Sequence, residues 1–168
     1  TVLDYWQAQE HAKRWADRQR QIAEGRLREG PYAVADAVKD YLGEIAAEKS
    51  PAAVQGAKYV FDAWILPELG SIRIEKLTTD RLNRWRNKIA TQPKRVRSKR
   101  TASEPATRET ADDDDARRAR KATANRILTM LKAALNRAFH ADRVASDSAW
   151  RKVKPFKRVD EAVVRYIS

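Results

Sequence analysis

The sequence predicts an all-α protein, and three features support this prediction. Glycine and proline are scarce, with 5 and 6 among the 168 residues. The prolines fall at the boundaries of patterned segments, where they are compatible with helix ends. Apolar residues recur three and four positions apart through most of the chain, which is the spacing of one helix face. The length fits one domain with a core and an appendage, so we expect a single compact unit.

The charge of the chain indicates a polyanionic partner. It carries 35 Lys and Arg against 23 Asp and Glu, a formal net charge of +12. An excess of this size is typical of proteins that bind nucleic acid. A membrane surface is the rival partner, but a basic helix that binds one would need a strongly apolar opposite face, and no segment approaches the roughly 20 apolar residues of a span. Nucleic acid is therefore the leading candidate, and we expect no membrane contact.

The sequence offers little for metal or cofactor chemistry. It contains no cysteine, which excludes disulfides and thiolate metal sites. Its two histidines, His11 and His140, are too few for a typical zinc centre. We therefore expect no metal, no cofactor and no small-molecule substrate. The first residues lack the apolar segment of a signal peptide, so a cytoplasmic location is expected.

The first predicted helix runs from about Asp4 to Arg28 and carries many charges. Its apolar side is thin, so we expect it to need a partner surface. That side consists of Trp6, Ala8, Ala12, Trp15 and Ile22. The pair Gly30-Pro31 ends the segment, because glycine suits a helix C-cap and proline cannot continue the hydrogen-bond ladder.

Two helices with wider apolar stripes follow. One spans about Val34 to Glu48. The other begins at Ser50-Pro51, where the serine hydroxyl caps the helix and proline fits its first turn, and Pro67 is expected to stop it. The stripes consist of Val34, Val38, Tyr41, Leu42 and Ile45 in one and of Val54, Ala57, Phe61, Trp64 and Ile65 in the other.

A turn containing Gly70 leads to a fourth helix, from about Asp80 to Ala90. Thr78 or Thr79 is the expected N-cap. The predicted buried side consists of Leu82, Trp85 and Ile89.

Residues 91–118 break the helical pattern, and we expect a long mobile loop there. A basic cluster, PKRVRSKR, is followed by a polar stretch and by the acidic run DDDD. None of these can bury enough apolar surface to offset the entropy of ordering. The cations are possible DNA contacts, the acidic run would repel DNA, and an inert disordered loop is the alternative. The cations concerned are Lys94, Arg95, Arg97, Lys99 and Arg100.

The fifth predicted helix, from about Arg120 to Asp142, has the clearest helical pattern. Its apolar face consists of Ile127, Leu128, Leu131, Ala134, Leu135, Ala138 and Phe139. A short helix near Asp147 to Lys154 and a tail ending in VVRYIS follow. Because the second to fifth helices each carry one apolar stripe, the sequence predicts a four-helix bundle.

The polar side of the fifth helix is a candidate binding surface. Arginine and asparagine commonly contact base edges, and lysine and threonine commonly contact phosphates. A face that is simply solvated is the alternative. One line consists of Lys121, Asn125, Thr129, Lys132 and Asn136, with Arg126 and Arg137 beside it. If this helix lies beside the third, whose Gln55 and Lys58 are predicted to point outward, their N-terminal halves could enter one groove of a duplex.

The order of these pieces resembles the core-binding domain of tyrosine recombinases of the phage integrase family. Three marks carry the resemblance: the apolar-Pro-x-Leu-Gly turn at 66–70, the entry Ile74-x-x-Leu77-Thr78, and the helix that begins near Asn125-Arg126. It covers about residues 32–157. The resemblance implies a SAM-like four-helix bundle, with residues 1–31 as a linker helix and residues 158–168 leading toward a separate catalytic domain.

The resemblance also implies a function. The domain would grip one side of double-stranded DNA at an attachment site, together with other integrase protomers, in a bacterial or prophage setting. The fragment itself would be non-catalytic. Carried over position by position, the implied DNA-binding residues are Ser50, Gln55, Lys58, Lys121, Thr123, Asn125, Arg126, Thr129 and Lys132.

The family's catalytic domain uses a His-x-x-Arg box and a tyrosine nucleophile, and His140, Arg143 and Tyr166 could be taken for them. We interpret this match as chance. A second copy, His11 to Arg14, stands where it could not serve, and the strands that carry the family's site have no counterpart. His140 is instead expected at a helix C-terminus, where it interacts well with the helix dipole.

Two other functions remain open on the sequence. One is a regulator with a helix-turn-helix, although the connections are long for that motif. The other is a helical protein-interaction module whose basic faces meet an acidic partner or RNA.

Overall fold

The computed structural model describes residues 4–24, 31–95, 106–108 and 114–159, and these are mostly helical. The helices are α1 (Tyr5–Ala23), α2 (Val34–Glu48), α3 (Pro51–Val60), a π-helical segment (Phe61–Ile65), α4 (Leu66–Leu69), a 3-10 turn (Ile74–Lys76), α5 (Thr79–Thr91), α6 (Asp114–His140) and α7 (Ser148–Arg151). Two short strands, β1 (Lys94–Arg95) and β2 (Thr107–Arg108), pair antiparallel. The all-α prediction is confirmed.

Helix α6 is the centre of the bundle, because it packs against α2 on one side and against α5 on the other. Its buried face consists of Ala124, Ile127, Leu128, Leu131, Ala134, Leu135 and Ala138. The helical run from α3 to α4 closes the core with Phe61, Ile65 and Leu69, all at most 1 % exposed. The apolar stripes predicted for these helices are therefore the ones that meet in the core.

The turn after α4 caps the start of α2. The amide of Val34 donates to the carbonyl of Ile72, and that of Ala35 donates to Gly70, both at 3.0 Å. These bonds satisfy amides that have no partner within their own helix. Gly70 has no room for a side chain, since a Cβ there would lie 2.6 Å from the carbonyl oxygen of Leu66. The Leu-Gly turn thus links the helical run ending in α4 to α2.

The prediction that Pro67 ends the third helix is wrong, because the helical path continues to Leu69. The chain widens into a π turn just before the proline, where the amide of Leu66 donates to Phe61, five residues back. Proline has no N–H to donate and its ring needs space in the preceding turn. The wider turn provides that space, as π-helical segments do inside longer helices.

Helix α6 begins at Asp114, earlier than the predicted start at Arg120, so the predicted loop 91–118 is too long at its end. Asp114 and Asp115 form ion pairs with Arg117 and Arg118 at 2.8 and 3.0 Å. Acidic residues also interact favourably with a helix N-terminus. Part of the acidic run is therefore helical.

Helix α1 leaves large aromatic side chains in solvent. Tyr5 and Trp6 are each 73 % exposed and Trp15 is 64 % exposed. The expected partner surface for this helix stays a prediction, and Arg28 and Gly30 lie outside the described residues. None of the helices in the described parts has the length and apolar character needed to span a membrane.

Candidate nucleic-acid interface

The polar residues of α6 lie on two different surfaces. Successive helix residues are rotated by about 100°, so Asn125 and Arg126 point in different directions. Asn125 and Lys132 are half-buried beneath another part of the chain, whereas Thr129 of the same predicted line and Arg126 beside it are exposed. The single polar line predicted from the sequence is thus divided by the tertiary structure.

The segment that covers the first surface is residues 150–157, which we call the strap. Three contacts fasten it to α6. The indole nitrogen of Trp150 donates to Asn136 at 2.7 Å, and the Lys132 ammonium donates to the carbonyl of Val153 at 2.7 Å. The amide of Asn125 exchanges two hydrogen bonds with the backbone of Phe156. The strap therefore runs antiparallel to α6 over about three helical turns, or about 16 Å.

Helix α5 forms the other side of the strap's binding groove. The Arg86 guanidinium donates to the carbonyl of Lys154 and lies 4.2 Å from the centre of the Phe156 ring. Val153 and Trp150 are 0 and 1 % exposed, so the strap contributes to the hydrophobic core. Only α7 (Ser148–Arg151) is helical in the region predicted as a helix from Asp147 to Lys154, and a turn at Lys152 and irregular chain follow it.

These contacts correct one expectation. Asn125 and Lys132 were predicted to face outward, and this is wrong, because each bonds to backbone groups of the strap. The physical reason is that Trp150 and Val153 bury their side chains between α5 and α6, which brings unpaired backbone groups next to both polar residues. The Asn125 side-chain amide and the Lys132 ammonium form hydrogen bonds with these backbone groups, which would be costly to bury without a partner.

The strap brings positive charges close together. Burial lowers the pKa of Lys132, and the neighbouring Lys154 charge lowers it further. Burial likewise lowers the pKa of Arg86. Lys121 lies 6.0 Å from the centre of the Phe156 ring and is exposed. Lys132 donates to the carbonyl of Val153, and Arg86 donates to the carbonyl of Lys154 and to the side-chain amide oxygen of Asn87. These partners are uncharged, so they do not neutralise the two positive charges.

The second surface of α6 carries Thr123, Arg126 and Thr129, all exposed. The two threonine hydroxyls donate to helix carbonyls four residues earlier, at 3.0 and 2.9 Å. Their protons are therefore engaged, and phosphate oxygens need donors. Arg126 forms no ion pair with a residue that the structure describes, so its guanidinium is the available donor on this surface.

Helix α3, which contacts both α2 and α6, carries the other predicted residues. Ser50 is the N-cap, and its hydroxyl accepts from the amide of Ala53 at 3.4 Å. Gln55 and Lys58 are exposed. Lys58 forms an ion pair with Asp62 at 2.7 Å, which leaves it less available to a ligand than its exposure suggests.

A second basic surface lies between α4 and α5, where a cleft of about 390 Å³ is lined by Arg81, Arg84, Trp85 and Lys88 together with Glu68 and Leu69. Here carboxylates offset the cations. Lys88 pairs with Glu68 at 3.0 Å and Arg84 pairs with Asp80 at 2.8 Å. This cleft is therefore a weaker candidate for anion binding than the strap.

The structure says little about the predicted loop contacts. Lys94 and Arg95 form β1, and Arg97, Lys99 and Arg100 lie outside the described residues.

His140 belongs to the C-terminal cap of α6. The amide of Arg143 donates to Ala138 and that of Asp142 donates to Phe139, while Asp142 has a φ of 55°. This is the hydrogen-bond pattern of a Schellman motif, in which a left-handed residue ends the helix. The His-x-x-Arg spacing therefore coincides with a helix cap, and Tyr166 lies outside the described residues.

The segment from α2 to near the end of α5 has a known family. Residues 34–90 match the family model described as "Phage integrase, N-terminal SAM-like domain". This segment is similar to the SAM-like domain of phage integrases. The predicted resemblance is thereby confirmed for this segment, and α6 and the strap lie beyond the matched residues of the SAM-like domain. No curated protein and no solved structure matches the chain.

Sequence reasoning missed the exposed lysines of the strap, Lys152, Lys154 and Lys157. A signal for them exists in the sequence. Trp150, Val153 and Phe156 recur every third residue with cations between them, which indicates a chain that buries one side and presents charge on the other. The helix predicted from about Asp147 to Lys154 instead treats most of this segment as helical.

Proposed function

We propose that this chain is the DNA-binding core-binding domain of a phage-type integrase and that it grips the core attachment site without cutting it. The observation that carries the proposal is Arg126, an exposed and unpaired cation on α6, in a chain with an integrase SAM-like domain. The net charge of +12 supports a polyanionic partner.

In this proposal, α3 and α6 together face the duplex. The Arg126 guanidinium has a planar fork of donors that suits a guanine edge or a phosphate. The Gln55 amide is exposed and suits an adenine edge. Lys58 exchanges its ion pair with Asp62 for a phosphate, and the positive end of the α3 dipole near Ser50 favours another.

Binding through phosphates has a measurable signature, because each contact releases counterions. With about four to seven phosphate contacts, the slope of log affinity against log salt should be roughly −4 to −6. Fluorescence anisotropy of a labelled duplex, titrated with the chain at several NaCl concentrations, measures this slope. A wild-type chain that does not bind any duplex, or binds with a flat salt response, contradicts the proposal.

Arg126→Ala tests the recognition residue. A pool of random duplexes selected for binding supplies the preferred sequence, and we expect the variant to weaken binding to that sequence by about 1 to 3 kcal/mol. Arg84→Ala, which removes an exposed arginine of α5, is the control. An equal loss on preferred and random duplexes would assign Arg126 to a phosphate instead.

We further propose that the parent protein is a tyrosine recombinase, acting in the cytoplasm, whose active site lies in a separate catalytic domain and whose protomers assemble on the attachment site. A supercoiled plasmid carrying the preferred sequence should stay uncut by this chain. Nicking that is lost in Tyr166→Phe would overturn the non-catalytic assignment.

A helical protein-interaction module is the second candidate, and one observation favours it. Tyr5, Trp6 and Trp15 of α1 are mostly exposed, and aromatic side chains are enriched where proteins bind one another. A partner held mainly by these side chains would bind with little salt dependence. Trp15→Ala would then weaken that binding while leaving any DNA affinity unchanged.

A further inference from the structure

The most concentrated unneutralised charge among the described residues is on the strap. Lys152, Lys154 and Lys157 are all exposed, and none of them forms an ion pair with a described residue. By contrast, Lys58, Arg84 and Lys88 on α3 and α5 each have a carboxylate partner. The strap is thus the part of the folded domain that gains most from a polyanion.

The strap is also held in a fixed position, which lowers the entropy cost of binding. Its apolar side chains enter the core and its backbone bonds to Asn125, Lys132 and Arg86. The lysines therefore start from an ordered backbone, so binding does not also have to order the backbone that carries them.

The strap lies next to the surface of α6 that is proposed to face DNA. Asn125 holds the end of the strap, and the next residue, Arg126, lies on the open surface of α6. Between Val153 and Phe156 the strap passes along α6 from Lys132 to Asn125, a distance of about 10 Å at the helical rise per residue. The strap therefore borders the surface of α6 that carries Arg126.

We propose that the strap is a phosphate-binding ridge, in which Lys152, Lys154 and Lys157 contact the backbone of one DNA strand along the edge of the α6 surface. This inference rests on the proposed DNA-binding function and adds a site to it. The ridge contacts phosphates alone, so it contributes to affinity for every duplex and carries no base preference.

The test compares two triple variants that remove the same charge. One is Lys152→Gln with Lys154→Gln and Lys157→Gln. The control is Lys39→Gln with Arg73→Gln and Lys76→Gln, three exposed cations of α2 and the turn before α5. Affinity for a labelled random duplex is measured between about 50 and 200 mM NaCl, and thermal unfolding checks that both variants are folded.

We expect the strap variant to make the log-log salt slope less steep by about 2 to 3, since each lost phosphate contact changes it by about 0.9. The control should keep a slope close to that of the wild type. Equal slopes for the two variants, with wild-type binding intact, would overturn the ridge and leave the proposed function standing. Failure of the wild-type chain to bind DNA would overturn both.

Discussion

The side chain of Asn125 forms a two-sided clasp with the backbone of Phe156. Its amide nitrogen donates to the Phe156 carbonyl at 2.9 Å, and its amide oxygen accepts from the Phe156 N–H at 2.8 Å. An asparagine amide matches a backbone peptide group in this way because it has the same donor and acceptor. Asn125, one of the residues expected to bind DNA, therefore holds the strap in place, which makes it a positioning residue.

Asn125→Ala should lower the free energy of unfolding by about 1 to 2 kcal/mol, because it leaves the N–H and C=O of Phe156 without these partners. It should also weaken binding to all duplexes alike, since the end of the strap is released. Urea unfolding and anisotropy measure the two effects.

The neighbouring variant Arg126→Ala is the control for stability. Arg126 is exposed and unpaired, so its loss should change stability by less than about 0.5 kcal/mol. If Asn125→Ala leaves stability unchanged and removes only the preference for one sequence, Asn125 reads a base and the clasp is secondary.

Asp62→Asn should strengthen DNA binding. Lys58 shares its charge with Asp62 across a 2.7 Å ion pair, and exposed pairs of this kind are weak enough to be exchanged. Removing the carboxylate frees the lysine for a phosphate, with an expected gain of about two- to fivefold, or about 0.4 to 1 kcal/mol.

Asp80→Asn is the matched control, because it frees Arg84 on α5 and removes the same charge. It should have a smaller effect if α3 faces the duplex and α5 does not. Equal gains from both variants would mean that net charge alone is responsible, and would count against Lys58 as a contact.

Asp142→Gly should stabilise the chain by about 0.5 to 1 kcal/mol. Asp142 has a φ of 55°, and glycine adopts this left-handed conformation without the steric cost of a Cβ. Thermal unfolding measures the change. Ala141→Gly, one residue earlier at negative φ, should instead lower stability; a loss in both variants would show that the Asp142 side chain stabilises the cap.

The stability of the chain should fall at alkaline pH through Tyr32. Its hydroxyl donates to Asp40 at 2.7 Å, and burial, together with this bond and the Asp40 charge, raises the pKa of Tyr32. Because the pKa of Tyr32 is raised in the folded state, the contribution of its hydroxyl to the free energy of unfolding is complete below the ordinary tyrosine pKa of about 10. This contribution is lost as the pH rises above that value.

Tyr32→Phe isolates this effect, because it keeps the ring and removes the titrating group. Urea unfolding of the wild type and the variant should show the wild type losing up to about 1 kcal/mol relative to the variant between about pH 9 and 11, a value reduced by the partial exposure of the ring. A constant difference across this range would contradict the raised pKa.

Much of the bundle followed from the sequence because it depends on local patterns. The stripes of α2, α5 and α6 and the caps at Ser50 and Thr78 are set by residues three or four positions apart. The path through Pro67 was not predictable in this way. Proline ends most helices, and the π turn that accommodates it depends on Phe61 and Ile65 being held in the core.

Part of the candidate site could be predicted because it, too, depends on a local pattern along one helix. Helical periodicity identified polar residues of α6 and placed Arg126 and Thr129 on the exposed side, as the structure has them. Thr123, which is also exposed, came from the family resemblance alone. Periodicity could not tell which polar residues meet another segment of the chain. Asn125 and Phe156 are 31 positions apart, and their contact exists only because Val153 and Trp150 are buried between α5 and α6.

By itself, the sequence determined the helical class, the residues that form the core and the excess of positive charge, because each depends on composition or on spacing within one turn of helix. Only the tertiary structure decided which polar side chains remain available to a ligand. That choice depends on how distant segments pack, since a buried strap must satisfy its backbone groups with whichever donors and acceptors lie beneath it.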